Sequence, residues 1–150
     1  MEITIEKGCI ADRDAIVQFQ VDMALESEGT VLDPATVTKG VETGLRCPEK
    51  GTYFVAKVDG IVVGSLFLTM EWSDWNNCDY WWIQSVYVLP DYRGKGVFRM
   101  LYKEVERRAV EAGSTCLRLY VDKTNERAKA TYRKLGMDEC HYLMYEETLR

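Results

Sequence analysis

The sequence has few of the residues that bind metal ions. Among its 150 residues it has one histidine, His141, and its five cysteines form no CxxC pair. A zinc site needs several such ligands at short spacing, so we expect no metal. The odd number of cysteines favours reduced thiols, which are typical of the cytosol. The first eight residues read as a charged strand and not as a signal sequence, so we expect a cytoplasmic protein.

Long hydrophobic runs and an excess of positive charge are also missing. No stretch approaches the roughly 20 apolar residues that span a membrane, so no membrane partner is expected. The formal net charge is −5, whereas nucleic-acid binding needs clustered cations, so no nucleic-acid partner is expected. The acidic balance suits a cationic substrate without identifying one. Length and composition predict one domain over residues 1–150.

The first half of the sequence predicts a strand, two helices and a hairpin. Residues 3–5 alternate as in a strand, and residues 15–29 carry apolar side chains at helical spacing. A second helix begins at Asp33-Pro34, where Asp caps and Pro takes the first helical position, and runs toward residue 45. Two β-rich runs, 53–58 and 61–70, are joined by Asp59-Gly60, which is a strong hairpin signal.

The second half continues the pattern with shorter elements. Residues 71–79 are predicted as a connection and 80–89 as a fourth strand. A helix at 96–112, a strand at 117–121, a helix at 125–135 and a last strand at 138–146 follow. A strand–helix–strand order implies one parallel crossover. The sequence therefore predicts a mixed α+β fold, with a mostly antiparallel sheet of about six strands and helices on both faces.

The most informative segment is SVYVLPDYRGKGVF at 85–98, where a strand runs into a turn that opens a helix. The first amides of a helix have no internal partner and lie at its positive end, so such a place binds anions. Gly94 and Gly96 let the backbone approach a phosphate, and Arg93 and Lys95 add positive charge. A plain connection with two surface cations is the alternative, but the strand before and the helix after favour the anion site.

Two common phosphate motifs are absent, because the sequence contains neither a P-loop nor a dinucleotide fingerprint. Residues 86–96, VYVLPDYRGKG, instead resemble the acetyl-CoA signature of the GNAT superfamily of N-acetyltransferases. Residues 121–137, with Val121, Asn125, Ala128, Tyr132 and a final Gly-Met, resemble the second signature of that family, which normally ends in Gly-Phe.

The resemblance implies a GNAT-like fold and an acetyl-CoA-dependent N-acetyltransferase. Its acceptor would be a primary amine of a small molecule or peptide, and transfer would be direct, in a ternary complex. In this family the fourth strand splays from the fifth, and the pantetheine arm lies in the gap. The backbone around Val86, Tyr87 and Val88 would then bind the acetyl and pantetheine portions like an added strand.

The resemblance also assigns the remaining cofactor contacts and the general acid. The Asn125 side chain would bind pantetheine, and Tyr132 would protonate the departing thiolate. Phe98 stands where the family usually has Gly or Ala, so its ring must point away from the cofactor or reshape the pocket. The pyrophosphate would be held by the backbone amides of Arg93, Gly94, Lys95, Gly96, Val97 and Phe98.

Several assignments have alternatives. Helical spacing alone would place Tyr132 in the core. No motif marks the catalytic base: Glu71 and Asp74 are the leading candidates, with Asp79 and Gln84 nearby, and each could equally be an ordinary loop residue. The surrounding aromatic residues could hold a cation, cover a dimer interface or pack on the sheet. These residues are Trp72, Trp75, Tyr80, Trp81 and Trp82.

Two other functions remain open at this point. The chain could be an acyl-CoA-binding sensor or interaction module with little catalysis, because no base is evident and Phe98 is unusual. It could also be an interaction protein with no cofactor. The amine acceptor is not indicated, and a homodimer is among the options for the oligomeric state, because dimers are frequent in such families.

Overall fold

In the computed structural model, which describes all 150 residues, the chain forms two compact units, Met1–Leu119 and Tyr120–Arg150. The first unit contains a five-stranded sheet and three α-helices, and the second contains one α-helix. The single domain expected over residues 1–150 stays a prediction.

The sheet has the strand order β1-β2-β3-β4-β5. Its strands are β1 Thr4–Lys7, β2 Thr52–Val58, β3 Ile61–Ser73, β4 Cys78–Val88 and β5 Leu117–Arg118. The first four strands pair antiparallel, and β5 joins β4 in parallel. This mixed sheet with one parallel crossover confirms the expected fold class, with five strands in place of about six.

Four α-helices and two short 3-10 helices complete the chain. The α-helices are α1 Arg13–Glu28, α2 Pro34–Arg46, α3 Val97–Glu111 and α4 Glu126–Lys134, and the 3-10 helices are Ile10–Asp12 and Pro90–Tyr92. The start of α2 is as predicted, because the Asp33 side chain accepts a hydrogen bond from the Thr36 amide at 3.2 Å. Such a cap satisfies an amide that the helix itself leaves unpaired.

The hairpin between β2 and β3 is confirmed, since Asp59 and Gly60 both have positive φ, at 50° and 78°. Two such residues match the twist of the flanking strands. The following hairpin is longer than predicted, because β3 continues to Ser73 and β4 begins at Cys78. The connection predicted at 71–79 therefore shrinks to residues 74–77, and Glu71 lies within a strand.

Helices cover both faces of the sheet in the first unit. Tyr53 and Val55 on β2 belong to a cluster that also contains residues of α1 and α2. Phe54, between them, points to the opposite face and lies under the Arg108 guanidinium of α3 at 5.1 Å. This alternation follows from the period of two in a strand. The cluster is formed by Ile16, Val41, Tyr53 and Val55, with Val17, Val37, Leu45, Val62 and Phe67 packed against them.

The start of α3 is fixed against the sheet by one close approach. A Cβ placed on Gly64 would lie 3.0 Å from the Val97 side chain and 3.2 Å from the Tyr87 carbonyl. Val97, Leu101, Val105 and Ala109 are all buried along one side of α3. Burial of a valine or leucine side chain contributes about 1.5–3 kcal/mol, so the three larger residues of this set hold the helix along its length, including the end nearest β4.

The end of the chain departs from the prediction. The strand expected at 117–121 is reduced to Leu117–Arg118, and residues 138–146 form no strand. Tyr142, Leu143 and Tyr145 are exposed. A strand requires hydrogen bonds to a neighbouring strand, and a sequence rich in apolar residues cannot by itself supply that partner.

Candidate active site

The turn between β4 and α3 has the backbone geometry of an anion site. Gly94 and Gly96 both lie in the left-handed region, at φ 75° and 84°. A Cβ on either glycine would meet no atom within 4 Å, so conformation and not crowding requires glycine here. The helical ladder begins with the Met100 amide donating to the Gly96 carbonyl, and no side chain caps the helix. The positive end of α3 therefore has no side-chain cap, and the Cβ positions of both glycines are open.

The Arg93 backbone has a different partner from the one expected. Its amide donates to the Pro90 carbonyl at 3.2 Å, and the Tyr92 amide donates to the Leu89 carbonyl at 2.9 Å. These two bonds form the 3-10 turn that leads into the glycines. The amide of Arg93 is therefore used within the protein and is not a candidate for binding an anion.

The Arg93 side chain also binds protein groups. Its Nε donates to the Val88 carbonyl at 2.8 Å, and its guanidinium pairs with Glu26 of α1 at 2.9 Å. Sequence reasoning treated this charge as a phosphate partner and did not identify Glu26. A guanidinium with two protein acceptors is better described as holding the turn in place.

The other residues of the turn differ in burial. Lys95 is exposed and its ammonium lies 5.7 Å from the centre of the Tyr92 ring. Val97 is buried against the sheet, with 2% of its surface exposed. The Phe98 ring lies 6.2 Å from the ring of Tyr102, one helical turn further on. The Phe98 ring thus lies beside Tyr102 along the helix.

The edge of β4 is open beside this turn. β5 pairs with β4 only at Trp81 and Trp82, so the later part of β4 has no partner strand on that side. Ser85 has a φ of 52°, and the register with β3 shifts by one residue at this point. An extra residue of this kind is a β-bulge, which bends a strand and ends regular pairing.

Val86, Tyr87 and Val88 follow the bulge with different orientations. Gly64 and Val88 are opposite each other, and the Leu89 amide donates to the Val63 carbonyl. This pattern marks Gly64 and Val88 as a non-hydrogen-bonded pair, whose own amides and carbonyls point away from each other. The Val88 carbonyl already accepts from Arg93, so its amide is the group that Val88 presents at the open edge.

The Tyr87 side chain points into the protein. It is 5% exposed, its ring lies 5.2 Å from that of Phe19, and its hydroxyl donates to Glu26 at 3.0 Å. Burial, and then the hydrogen bond to Glu26, raises the pKa of Tyr87 above its ordinary value. Tyr87 is opposite Ser65, in the hydrogen-bonded pair next to Gly64 and Val88, so its amide and carbonyl face β3 and neither its backbone nor its side chain lies at the open edge.

The predicted acidic residues lie farther along the hairpin. Glu71 accepts from the Trp82 indole at 2.7 Å and pairs with Arg118 at 3.0 Å. Arg118 in turn lies over the Tyr80 ring at 4.6 Å. Glu71 and Tyr80 are strand partners, so this cluster lies on one face of the sheet.

Distance along β4 separates the acidic residues from the open edge. Tyr80 precedes Val86 by six residues, which is about 20 Å at ~3.3 Å per residue. Asp74, in the exposed turn at 74–77, is farther still. Gln84 is two residues from Val86, or about 7 Å, and its amide donates to the Thr69 hydroxyl at 2.5 Å. The structure therefore does not bring Asp74 close to Val86.

The second unit contains the other two predicted residues. Asn125 is the N-cap of α4, and its Oδ1 accepts from the Ala128 amide at 3.0 Å. The Nδ2 group of the same side chain can still donate to a ligand. Tyr132 is half-buried on α4, and burial raises its pKa above the ordinary value. The phenol is therefore protonated at neutral pH.

Sequence reasoning missed Glu26 and Arg118. Glu26 lies 67 residues before Arg93, and no local pattern connects them. Arg118 lies between the apolar residues Leu117 and Leu119, which is an alternation that indicates a strand with one polar face. That signal could have placed Arg118 on a face of the sheet, but not beside Glu71.

No group of three or more His, Cys, Asp or Glu residues is placed to hold a metal ion. None of the helices is both long and apolar enough to cross a membrane. All five cysteines are free thiols.

Comparison with known proteins points to one family. Residues 23–137 match the model of the acetyltransferase (GNAT) family. The chain is 33% identical over 78 residues to the thialysine N-epsilon-acetyltransferase of Bos taurus. The matched residues cover 52% of this chain and 45% of that protein. It is also 33% identical over 89 residues to the streptothricin acetyltransferase of Streptomyces lavendulae. Those residues cover 59% of this chain and 45% of that protein. The chain thus spans about half the length of the curated relatives it matches.

A solved structure matches over the whole chain. The structure of a possible acetyltransferase from Clostridium difficile 630 superposes with a TM-score of 0.93 at 42% sequence identity. The match covers 100% of this chain and 99% of that one. It supports the arrangement of sheet and helices described above.

Proposed function

Because the chain belongs to the acetyltransferase (GNAT) family, we propose that it uses acetyl-CoA to acetylate a primary amine of a small molecule or peptide. The observation that carries this proposal is the turn before α3. Gly94 and Gly96 are left-handed, the space at their Cβ positions is empty, and the helix has no side-chain cap. These features fit a diphosphate, which needs several amide donors and room to approach them.

The amides from Gly94 to Phe98 would hold the diphosphate of acetyl-CoA, whose thioester supplies an activated acetyl group. The Arg93 side chain would act indirectly, since it binds Val88 and Glu26. Lys95 would add a solvent-exposed positive charge. This division of roles predicts that main-chain geometry contributes more to affinity than either side-chain charge.

The open edge of β4 would bind the pantetheine arm. Its amide groups pair like an added strand, with the Val88 amide as one donor and the bulge at Ser85 and Val86 opening the gap. We assign the Asn125 side chain to the same arm, through its Nδ2 group, because Oδ1 is used in capping α4.

Tyr132 is the proposed general acid. The phenol of a tyrosine, with an ordinary pKa of about 10, is protonated at neutral pH, and burial raises the pKa of Tyr132 further. A proton is therefore available for a departing thiolate whose conjugate acid has a pKa of about 8.5. Because the pKa of the phenol is raised, full proton transfer in the resting state is unfavourable. Donation is favoured as negative charge develops on sulfur during transfer.

Glu71 is the acidic group that we propose for the acceptor site. Asp74, in the turn that follows β3, is the second candidate. Glu71 and its aromatic neighbours Tyr80 and Trp82 suit a cation, and in this structure the Arg118 guanidinium takes that place, so a cationic amine would have to displace it. Because Glu71 is opposite Tyr80, about 20 Å along β4 from Val86, it would contact a distant positive charge of the acceptor and would not take the proton of the attacking amine. Two relatives support a small-molecule amine, since they are named for acetylation of thialysine at the epsilon nitrogen and of streptothricin.

A binding module with little catalysis is the second candidate. One observation favours it: the oxygens of Glu71 are engaged by Trp82 and Arg118, and the Gln84 amide bonds to Thr69. No carboxylate of β4 lies near Val86 to accept a proton. Such a protein would bind acetyl-CoA tightly and release thiol slowly, whatever amine is supplied.

The two candidates are separated by one pair of measurements. Calorimetry with acetyl-CoA measures affinity, and thiol release over a panel of primary amines, with matched alcohols as controls, measures turnover. We expect binding together with release on at least one amine and none on the alcohols. Binding without release on any amine would favour the module, and no binding at all would refute both.

A further inference from the structure

We propose that Glu26, near the end of α1, is a positioning residue for the phosphate-binding turn and acts through the Arg93 side chain. The inference rests on the proposed function, because it assigns Glu26 to the site that would bind the diphosphate. The sequence motif at 85–98 does not include Glu26, which lies 67 residues before Arg93.

The observation is a closed set of contacts between three parts of the fold. The Arg93 guanidinium donates to Glu26 Oε2 at 2.9 Å, and the Tyr87 hydroxyl donates to Glu26 Oε1 at 3.0 Å. Arg93 Nε donates to the Val88 carbonyl at 2.8 Å, and the guanidinium lies 5.2 Å from the centre of the Tyr87 ring. Both Glu26 oxygens thus bind groups that flank the turn.

The geometry of Arg93 makes this arrangement specific. The guanidinium is planar, so its Nε and its terminal nitrogens donate in fixed, different directions. With Nε bonded to Val88, the acceptor for the terminal nitrogen must lie where the Glu26 carboxylate lies. The chain leaves Arg93 directly into Gly94, so the orientation of Arg93 sets where the amides of the turn begin.

The charges in this cluster support a structural role for Arg93. The Arg93 guanidinium, and then the Tyr87 hydroxyl, hold the pKa of the Glu26 carboxyl below its ordinary value. Glu26 is therefore ionised at neutral pH and balances the charge of Arg93. The net attraction of the turn for an anion comes from main-chain amides, and Glu26 affects affinity by fixing their position.

The test compares Glu26→Gln with a matched control, Glu106→Gln. The Lys103–Glu106 pair has a similar distance, 3.0 Å, and a similar exposure of both side chains, but it lies along α3 and away from the turn. We expect Glu26→Gln to raise the Kd for coenzyme A roughly twofold to fivefold, the range of a partly exposed ion pair. Glu106→Gln should leave the Kd unchanged.

A second readout needs no ligand. Amide hydrogen exchange at Tyr92 and Arg93, whose amides bond to Leu89 and Pro90, should be faster in Glu26→Gln than in the wild type or in the control variant. In an Arg93→Met background, adding Glu26→Gln should change neither the exchange nor the Kd, because residues that act as one unit are not additive.

The outcomes are distinct. Unchanged exchange in Glu26→Gln, or an equal effect of Glu26→Gln in the Arg93→Met background, would overturn the role of Glu26. If the wild-type protein does not bind coenzyme A, the proposed function fails. The exchange measurement then still decides whether Glu26 holds the turn through Arg93.

Discussion

One glycine lies at each end of α3, and the two have nearly the same backbone conformation. A substitution at Gly96, in the proposed phosphate site, can therefore be compared with the same substitution at Gly113. Gly96 precedes the helix at φ 84°, and Gly113 follows it at φ 82°. A Cβ on either would meet no atom within 4 Å. Alanine at each position therefore introduces the same conformational strain with no steric clash, but Gly96 lies at the proposed diphosphate site and Gly113 at the opposite end of the helix.

The expected loss of stability is similar for the two variants. A left-handed alanine costs roughly 1–2 kcal/mol, and reduced freedom in the unfolded chain returns part of that amount. We expect a net loss of about 1 kcal/mol in the free energy of unfolding for each variant. In a protein of this size that loss lowers Tm by about 2–4 °C, which thermal melts followed by circular dichroism would resolve.

The expected effect on binding differs. A rotated backbone at Gly96 would misdirect at least one amide, and a hydrogen bond to a charged group contributes about 1.5–3 kcal/mol. Gly96→Ala should therefore raise the Kd for coenzyme A at least about tenfold, whereas Gly113→Ala should bind like the wild type. Calorimetry measures both. Wild-type affinity in Gly96→Ala, or equal losses in the two variants, would show that the turn does not hold the diphosphate.

Three further substitutions test separate parts of the reasoning. Tyr132→Phe should lower kcat about 100-fold or more, as expected for loss of a general acid, while the KM for acetyl-CoA stays within about twofold; full turnover in steady-state assays would remove Tyr132 from the mechanism. Phe98→Ala should leave the Kd for coenzyme A within about twofold, because the ring packs toward Tyr102; a tenfold change by calorimetry would place the ring in the pocket. Glu104 has a pKa lowered to about 2 by hydrogen bonds to two arginines, so its stabilisation is present above about pH 5 and is lost as pH falls toward 2. Urea unfolding of Glu104→Gln should show lower stability than the wild type at pH 7 and a difference that shrinks over this range; a difference independent of pH would contradict the assignment.

Local chemistry made several elements predictable. Asp33 with Pro34 marks the start of α2, and Asp59-Gly60 forms the hairpin, because each depends on residues that are adjacent in sequence. The turn before α3, the proposed phosphate site, was predictable for the same reason. Its glycines, the strand before it and the helix after it all lie within one segment at 85–98.

Elements that need a distant partner were predicted less well. The strand expected at 138–146 did not form, and the strand expected at 117–121 pairs over two residues. The position of Glu71 within β3, and not in a loop, depends on its pairing with Tyr80 across the hairpin. Strand length is set by the neighbour as much as by the strand's own residues.

The sequence by itself determined the fold class, the hairpin and the turn that offers its amides at the start of α3, because backbone preferences and side-chain periodicity act over a few residues. Tertiary structure decided what the charged side chains do. Arg93 binds Glu26 and Val88, and Glu71 binds Arg118 and Trp82. These partners are far apart in the chain, and an ion pair forms according to distance in space, which the folded sheet and helices alone establish.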